Sequence, residues 1–461
     1  MARSGAFNLM KNKMDIFNNR YTLFCIVAIL MKQLIVASST FWIANLASAV
    51  AAGQPFMRYL VFFIASLIVI YVPEILSRIF LEKAQYVSIL EQNEKFIAHH
   101  QGNLALIYDK TIERVYKPWF THETNHIIQE AFSVNYEILS TLLNVSFNIF
   151  ALGMVIHHDI FFFYGIAFIF LLLGYKFSRK KIGLAGKQFQ ISRNHYNHCL
   201  IQGWDNLASG NSINKKLWKT RFFLDLENLK WAAIKQRWLT SGYSSVVMLA
   251  GLIPILLGLA FILRDAKTSV VLAAAIVATL PRQIQIIQFS HELLSMLFDY
   301  EAVRARIKQY IKMQSSPIEA NEILKKRIKI QKIQINGKSF HSIDEALQFM
   351  HRSKTERLTI RGENGAGKSS LLALLKIQEG AAALILPAKT SLLFDENESQ
   401  EQGWSSGEYI KNAFSAIERE STLAFILLDE WDANLDSQNL RDLSKLIDIW
   451  ATKKVIVEIR H

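Results

Sequence analysis

Cysteine is nearly absent from this sequence of 461 residues, which contains only Cys25 and Cys199. One of these thiols lies in an apolar run and the other in a basic segment. Two thiols so placed exclude a disulfide framework, and we expect both to be reduced. Internal repeats are also absent, so each functional element occurs once. The basic residues lack an aromatic-interleaved motif, which argues against a nucleic-acid partner.

Apolar residues make up 51 % of the chain and are concentrated before residue 300. Most of their runs reach the ~20 residues that an α-helix needs to cross the ~30 Å hydrocarbon core of a bilayer. Core helices of a large soluble protein are the alternative, which so many runs disfavour. We therefore predict a cytosolic segment over residues 1–20, a six-span membrane domain in contact with lipid over 21–314, and a separate domain over 325–461. The runs lie at residues 21–52, 56–81, 133–156, 161–177, 239–263 and 269–289.

The charge distribution predicts the orientation of these spans. The formal net charge is +13, and most of it lies in residues 176–237. This segment coincides almost entirely with the second of two long connections, at 83–132 and 178–238. Lysine and arginine are enriched in loops on the cytosolic side of membranes. We therefore expect the long connections and both termini in the cytosol, and the spans in the cytoplasmic (inner) membrane.

A phosphate-binding motif stands near the C-terminus, where residues 362–369 read Gly-Glu-Asn-Gly-Ala-Gly-Lys-Ser. It follows a strand-like run and precedes a helix-like run, which is the context that the motif requires. Its glycines let backbone amides curl around phosphates, and the helix N-terminus adds partial positive charge. The lysine is expected on the β/γ-phosphates and the serine on Mg²⁺. The predicted ATP-binding residues are Gly362, Asn364, Gly365, Ala366, Gly367, Lys368, Ser369 and Ser370.

A second element ends in two acidic residues, Asp429 and Glu430. The preceding residues 423–428 are uniformly apolar, which predicts a parallel strand buried on both faces, with its carboxyl end at a ligand site. With the six spans and two long connections, these motifs resemble a half-transporter of the ATP-binding cassette exporter superfamily, over nearly the whole chain. The fold class that this resemblance implies is an α-helical six-span membrane domain followed by an α/β P-loop nucleotide-binding domain.

The resemblance also implies roles for individual residues, with ATP and Mg²⁺ as the bound groups. Asp429 would hold Mg²⁺ together with Ser369, and Glu430 would polarise the water that attacks ATP, with a switch histidine beside it. The family signature would contact the ATP bound to the opposite subunit. The matching positions are the signature residues Ser405, Ser406, Gly407 and Glu408, the dimer-loop residues Asn434 and Asp436, the switch histidine His461 and the adenine-stacking candidate Phe340.

Three features depart from the family. The stretch between Ser370 and Ser405 is short, so we expect a reduced helical subdomain. Ala388 or Lys389 stands where a glutamine is usual. The sequence as given ends before the elements that usually close the domain, so it is expected to be either naturally minimal or cut short. Magnesium coordination and coupling to the membrane domain are the properties that these departures affect.

Polar residues within the apolar runs indicate a substrate cavity, because lipid exposure of such groups is costly. Hydrogen bonding between helices is the alternative for the amides. A polar, partly charged cavity suits a peptide-like or amphipathic substrate. Residues 199–223 loosely resemble the second intracellular loop of cyclic-peptide and siderophore-type exporters, and lipid or drug export is the alternative. The candidate cavity residues are Lys32, Asn144, Asn148, Arg282, Gln285 and Gln288.

The predicted function is ATP-driven export by a dimer. In the family each ATP lies between the phosphate loop of one chain and the signature of the other, so a working unit needs two chains. A single set of motifs favours a homodimer, and a second, different half-transporter is the alternative partner. A regulatory or sensory membrane protein that binds ATP without efficient turnover is the other class of function that the sequence leaves open.

Overall fold

The protein divides into two units, each built around its own contacts. A computed structural model describes residues 16–265, 270–388, 392–394, 406–420, 422–433 and 435–460. The first unit comprises the residues up to Lys95 and His122–Gln314. The second comprises Phe96–Thr121 and the residues from Ser315 onward. The second unit is therefore discontinuous in sequence, because a segment between two long helices belongs to it.

Long helices dominate the first unit. Six helical segments in the described residues are long and apolar enough to cross a membrane, so the prediction of membrane-spanning helices is confirmed at this level. Asn19 begins the first of them as an N-cap, and its side chain accepts a hydrogen bond from the Thr22 amide at 2.9 Å. The helices as far as Ser315 are α1 (Arg20–Ala51), α2 (Met57–Val69), α3 (Tyr71–His100), α4 (Ala105–Tyr108), α5 (Lys110–Pro118), α6 (Thr124–Val155), α7 (Asp159–Ala208), α8 (Ser212–Asp265) and α9 (Val270–Ser315), with a π-helical turn at Trp119–Glu123.

Large apolar side chains are exposed along these helices. Ile68 and Phe162 are each 66 % exposed. A buried cluster joins α6 to α9 through residues such as Leu152, Ile255 and Ile276, so the helices also have an inner, packed side. Exposed apolar patches of this kind mark an interaction surface. On helices long enough to cross a membrane, such a surface contacts the hydrocarbon core of the bilayer.

The second unit is built on one six-stranded sheet in the described residues, with strand order β2-β1-β3-β6-β5-β4. The three pairs β3–β6, β6–β5 and β5–β4 are parallel, and β1 pairs antiparallel with β2 and β3. The strands are β1 (Ile333–Ile335), β2 (Lys338–Ser339), β3 (Glu356–Gly362), β4 (Ala383–Leu386), β5 (Phe425–Asp429) and β6 (Val455–Ile459). The helices are α10 (Ala320–Lys325), α11 (Ile343–Arg352), α12 (Lys368–Glu379), α13 (Ser406–Arg419) and α14 (Ser437–Ala451).

Strands β5 and β6 are buried along their whole length. Leu427 and Val457 point into a cluster with α12, whereas Ile426 and Ile456 point into a cluster with α13 and α14. Uninterrupted apolar runs are typical of parallel strands covered by helices on both faces. Packing of helices against both faces therefore holds β5 and β6, and with them their carboxyl ends, in place within the second unit.

The second half of the predicted fold class is wrong. We expected an α/β P-loop nucleotide-binding domain with a reduced helical subdomain. Instead, the described residues are predominantly helical, long helices occupy the chain as far as Ser315, and a small unit with one sheet of short strands follows. The expectation failed because a short motif with its flanking elements specifies a local strand–loop–helix, which we extended to a whole domain type. Any function of this region therefore has to follow from local geometry.

A buried ion pair joins β3 to β6 in the second unit. Glu458, which is 1 % exposed, receives two 2.9 Å hydrogen bonds from the Arg357 guanidinium. Thr359 and the Trp431 indole donate to the same carboxylate at 3.1 and 3.0 Å. Burial alone would raise the pKa of Glu458, but Arg357, followed by Arg460, outweighs it and holds the pKa below its ordinary value. The carboxylate is therefore ionised and fully hydrogen-bonded in the fold.

The lowered pKa of Glu458 predicts a pH dependence of stability. Its contribution is fully present above the ordinary glutamate pKa of about 4.3 and is lost as the pH falls through the lower folded-state value. Below about pH 4.3, the unfolding temperature of the natural protein should therefore fall more steeply with pH than that of Glu458→Gln. Thermal unfolding in lipid nanodiscs, followed by tryptophan fluorescence, measures this. Glu418→Gln, at an exposed position, is the control, and equal slopes for Glu458→Gln and the natural protein would contradict the assignment.

Candidate functional site

The phosphate-binding motif forms the turn between β3, which ends at Gly362, and α12, which begins at Lys368. Gly367 is the residue before the helix and has a φ of +93°. A Cβ atom there would lie 2.5 Å from the Arg327 carbonyl oxygen, so only glycine fits. The turn therefore brings backbone amides and the N-terminus of a helix to one place, which suits an anionic group.

A cavity of about 540 Å³ lies over this turn, within the second unit. Its walls combine the motif with the acidic pair, although the two are far apart in sequence. The loop residues Asn364 to Ser370 line one side, and Asp429 and Glu430 line another. Pro387 and Ala388 also line it; a glutamine is usual in the family at the position of Ala388 or of Lys389, and Lys389 lies outside the described residues. The structure thus gathers the predicted phosphate and metal ligands around one space.

Asp429 is the most buried acid in this cavity, at 3 % exposed. Its Oδ1 accepts a hydrogen bond from the Ser369 hydroxyl at 2.9 Å. Burial raises the pKa of Asp429 to about 6; the Glu430 carboxylate adds to this shift, while Ser369, the Tyr108 hydroxyl and the Ala388 amide oppose it. A cation bound at this carboxylate would compensate the buried negative charge.

Lys368 places its ammonium group beside the same loop. Its Nζ donates to the Gly362 carbonyl at 2.8 Å and to the Glu363 carbonyl at 3.4 Å. These bonds keep the charge at the mouth of the turn, next to the amides of α12. Positive charge and helix N-terminus therefore coincide, as binding of a polyphosphate requires.

Glu430 has a left-handed backbone, with a φ of +46°. Its amide donates to the Ile459 carbonyl at 3.1 Å, which fixes the turn after β5. A non-glycine residue in this region costs about 1–2 kcal/mol, and such strain clusters at functional sites. The backbone strain at Glu430 therefore marks it as a candidate functional residue.

Tyr108 is a site residue that the sequence analysis missed. It belongs to the segment Phe96–Thr121 of the same unit and lines the cavity. Its hydroxyl oxygen is buried beside Asp429 without a hydrogen bond of good geometry in the described residues. Burial, and then the Asp429 carboxylate, raise the pKa of Tyr108. Arg327 donates to the Tyr108 carbonyl at 2.6 Å and pairs with Asp109 at 3.2 Å, which anchors the segment.

Several predicted residues lie away from this cavity or outside the described residues. Phe340 is 7 % exposed in the core, with its ring centroid 5.3 Å from that of Phe349, and does not line the cavity. Asp436 is the N-cap of α14 and accepts from two amides at 3.0 and 2.7 Å. Glu408 lies in the first turn of α13. The roles given to these residues stay predictions. Ser405, Asn434, His461 and the side chains of Ser406 and Gly407 lie outside the described residues.

The cavity candidates of the first unit fall into two groups. The amides of Asn144 and Asn148 take part in hydrogen bonds between α1 and α6: Thr40 donates to Asn148 at 2.6 Å, and Asn144 donates to Gln33 at 2.8 Å. Bonding between helices therefore accounts for these two amides. The candidates outside this amide network are Lys32 on α1 and Arg282, Gln285 and Gln288 on α9, of which the two glutamines are exposed.

Comparison with protein-family models finds no match to this chain, and comparison with curated proteins finds none either. The function therefore has to be argued from the geometry of the site.

The Gly367 geometry gives a prediction of stability. Gly367→Ala adds a Cβ against two backbone atoms, the Arg327 oxygen at 2.5 Å and the Ile328 Cα at 2.8 Å. Gly365→Ala is the matched control, since its φ is +77° but its Cβ would meet nothing within 4 Å. Both changes carry the ~1–2 kcal/mol cost of a left-handed alanine, and only Gly367→Ala adds a clash. Thermal unfolding followed by circular dichroism should rank Gly367→Ala clearly below the control, and equal losses would contradict the close approach.

Proposed function

We propose that the protein binds ATP and Mg²⁺ in the cavity over residues 362–369 and hydrolyses ATP to drive export of a peptide-like or amphipathic substrate across the cytoplasmic membrane. The observation that carries the proposal is the 2.9 Å hydrogen bond from Ser369 to Asp429. It joins the end of the phosphate-binding motif to an acid from a distant part of the chain. A chance match to the motif would not predict this contact.

Phosphate binding is supported by two features of the turn, the N-terminus of α12 and the Lys368 side chain. The α12 N-terminus supplies unpaired amides and a partial positive charge. Lys368 supplies a full charge, and its bonds to the Gly362 and Glu363 carbonyls hold it at the turn. On binding, the ammonium exchanges these carbonyls for the β/γ-phosphate oxygens, which are stronger acceptors because they are charged.

The oxygen donors at the site fit Mg²⁺. This ion prefers oxygen ligands and is usually held by one or two carboxylates together with substrate phosphates. Ser369 and Asp429 provide a hydroxyl and a carboxylate, and the described residues contain no cluster of three or more His, Cys, Asp or Glu that would suit another metal. Bound there, Mg²⁺ would neutralise charge on the phosphates.

Hydrolysis requires a group that orients water against the γ-phosphate. Glu430 lines the cavity next to Asp429 and is held by a strained turn. In the proposed reaction its carboxylate accepts a proton as water oxygen bonds to the γ-phosphorus, and the bond to the β–γ bridging oxygen breaks to give ADP and phosphate. The Tyr108 side chain lies beside Asp429 and would keep the Asp429 carboxylate in position.

Transport is proposed from the combination of this site with six apolar helices. The basic connection at residues 176–237 supports a cytosolic location for the second unit, where ATP is available. Because each chain carries one set of motifs, a pair of chains is proposed, either a homodimer or a pair with a second half-transporter. ATP would act through its preference for one conformation of the pair.

One observation favours a second candidate function. Ala388 lines the cavity where a glutamine would be expected to reach the metal and its water. Without that amide, the site would bind ATP but turn it over slowly, and the protein would act as an ATP-dependent regulator. Turnover of the purified protein in lipid distinguishes the two functions.

Lys368→Ala should weaken ATP binding. The change removes a charge-assisted contact worth about 1.5–3 kcal/mol, or roughly ten- to a hundredfold in affinity. Titration of the protein in nanodiscs with ATP and Mg²⁺ by calorimetry measures this, and Lys445→Ala, which removes an exposed lysine from α14, is the control for net charge. Unchanged affinity in Lys368→Ala would rule out phosphate binding at the motif.

Glu430→Gln should separate binding from hydrolysis. Glutamine keeps the size of the side chain and its hydrogen bonding but cannot accept the proton from water, so turnover should fall by the ~10²–10⁴-fold typical of a lost general base. ATP affinity should stay within about twofold, because Lys368 and the loop amides are unchanged. Phosphate release and calorimetry measure the two quantities. If the variant hydrolyses ATP at the natural rate, another residue activates the water; if the natural protein shows no turnover, the regulatory function is favoured.

A further inference from the structure

Lys32 and Arg282 are cations within the predicted spans of the first unit, and they differ in their partners. Lys32, on α1, forms an ion pair with Glu74 on α3. Glu74 also receives a hydrogen bond from Arg78 at 2.7 Å. The charge of Lys32 is therefore compensated by an acid that the fold itself supplies.

Arg282, on α9, is held only by neutral groups in the described residues. Its Nη1 donates to the Gln285 side chain at 2.9 Å, and its Nη2 donates to the Ser39 hydroxyl of α1 at 3.1 Å. No carboxylate of the described residues lies within ion-pair distance of it. Arg282 thus keeps a positive charge without a counter-charge.

The position of Arg282 makes this charge unusual. At a rise of 1.5 Å per residue it lies about 18 Å along α9 from Val270, inside the apolar run at residues 269–289 that is predicted to cross the ~30 Å hydrocarbon layer. A lone arginine there would extend toward the nearest interface. The bonds to Ser39 and Gln285 instead hold the guanidinium against α1.

Other polar side chains near Arg282 form hydrogen bonds with one another rather than with Arg282. Asn148 is 0 % exposed and accepts from Thr40, and Gln33 donates to Ser140 at 2.8 Å. These side chains satisfy one another between α1 and α6. Arg282 lies beside this network and keeps its charge. Ser39 and Gln285 use two of its five guanidinium N–H donors, so three remain for a ligand.

We infer that Arg282 recognises an anionic group, a carboxylate, on the exported substrate, with Ser39 and Gln285 orienting the guanidinium. The inference deepens the proposed transport function and rests on it. A guanidinium with free parallel donors takes a carboxylate in a bidentate pair. Intramembrane charges that the fold leaves unpaired mark substrate pathways, because the partner that offsets their cost is the ligand. The substrate class is therefore an amphipathic carboxylate, either a peptide with a free C-terminus or a fatty-acid-like molecule.

Matched probes that differ in one group test this inference. The first pair is tritiated N-acetyl-Phe-Leu-Phe with a free carboxylate or with a C-terminal amide. The second pair is tritiated decanoate or decanol. Binding is measured by scintillation proximity on the full chain in phosphatidylcholine nanodiscs at pH 7.5 without ATP, so that the result does not depend on hydrolysis.

The natural protein should bind the carboxylate of at least one pair about tenfold more tightly than its neutral partner, the size expected for one charge-assisted contact. Arg282→Gln should abolish this preference. Arg282→Lys should retain part of it, because an ammonium keeps the positive charge but lacks the parallel N–H donors of the guanidinium. Arg58→Gln removes an arginine whose guanidinium contacts Tyr59 and is the control. It should keep the full preference.

A preference confined to the peptide pair identifies a peptide substrate, and one confined to decanoate identifies a lipid-like substrate; both support anion recognition by Arg282. The absence of any carboxylate preference in the natural protein would overturn the inference, as would a preference that survives Arg282→Gln. Failure of ATP turnover in the Glu430 experiment would instead overturn the transport function, while the binding preference would stay measurable.

Discussion

Parallel pairing of β3 and β5 with the strand between them is the constraint on which the candidate site depends. Ile459 of β6 pairs with Ile360 on one side and with Asp429 on the other, so both neighbours end at the same edge of the sheet. The loop after β3 and the acids after β5 therefore meet, although they are far apart in sequence. The buried pair between Arg357 and Glu458 holds β3 in this register, and burial of β5 on both faces does the same for Asp429. A shift of one residue would move the end of β5 along the sheet and separate Ser369 from its acid.

Local signals in the sequence were sufficient for much of this arrangement. The six apolar segments follow from length and composition alone, because spanning a bilayer requires both and little else. The turn at residues 362–369 follows from glycine spacing, since Gly367 takes a conformation and a close backbone approach that no other residue tolerates. The apolar run before Asp429 and Glu430 predicted a buried strand ending at the site, because parallel strands covered on both faces read as short, nearly continuous apolar runs.

Features that depend on tertiary contacts were not predictable in the same way. Tyr108 lies in a connection without any motif, and only the fold brings it beside Asp429. Lys32 and Arg282 look alike in sequence, as single cations in apolar runs, and differ because only Lys32 meets an acid from another helix. The fold class of the C-terminal portion was wrong for the opposite reason, because a strong local signal was taken to define a whole domain. A motif specifies the geometry of its own turn and says little about how much structure surrounds it.

Charge compensation distinguishes two kinds of charged side chain in this protein, those with a partner of opposite charge in the described residues and those without one. Burying a charge is costly unless a partner is present, and the fold itself provides partners for Glu458 and for Lys32. Asp429 and Arg282 receive only neutral hydrogen-bond donors or acceptors from the described residues. A buried charge whose partner is part of the chain is compensated whenever both groups are ionised, whereas one without a partner is compensated only when a ligand of opposite charge is bound. We therefore propose a cation as the partner of Asp429 in the second unit and an anion as the partner of Arg282 in the first. A ligand of opposite charge at Asp429 or at Arg282 would then offset the free-energy cost of the uncompensated charge, which favours its binding.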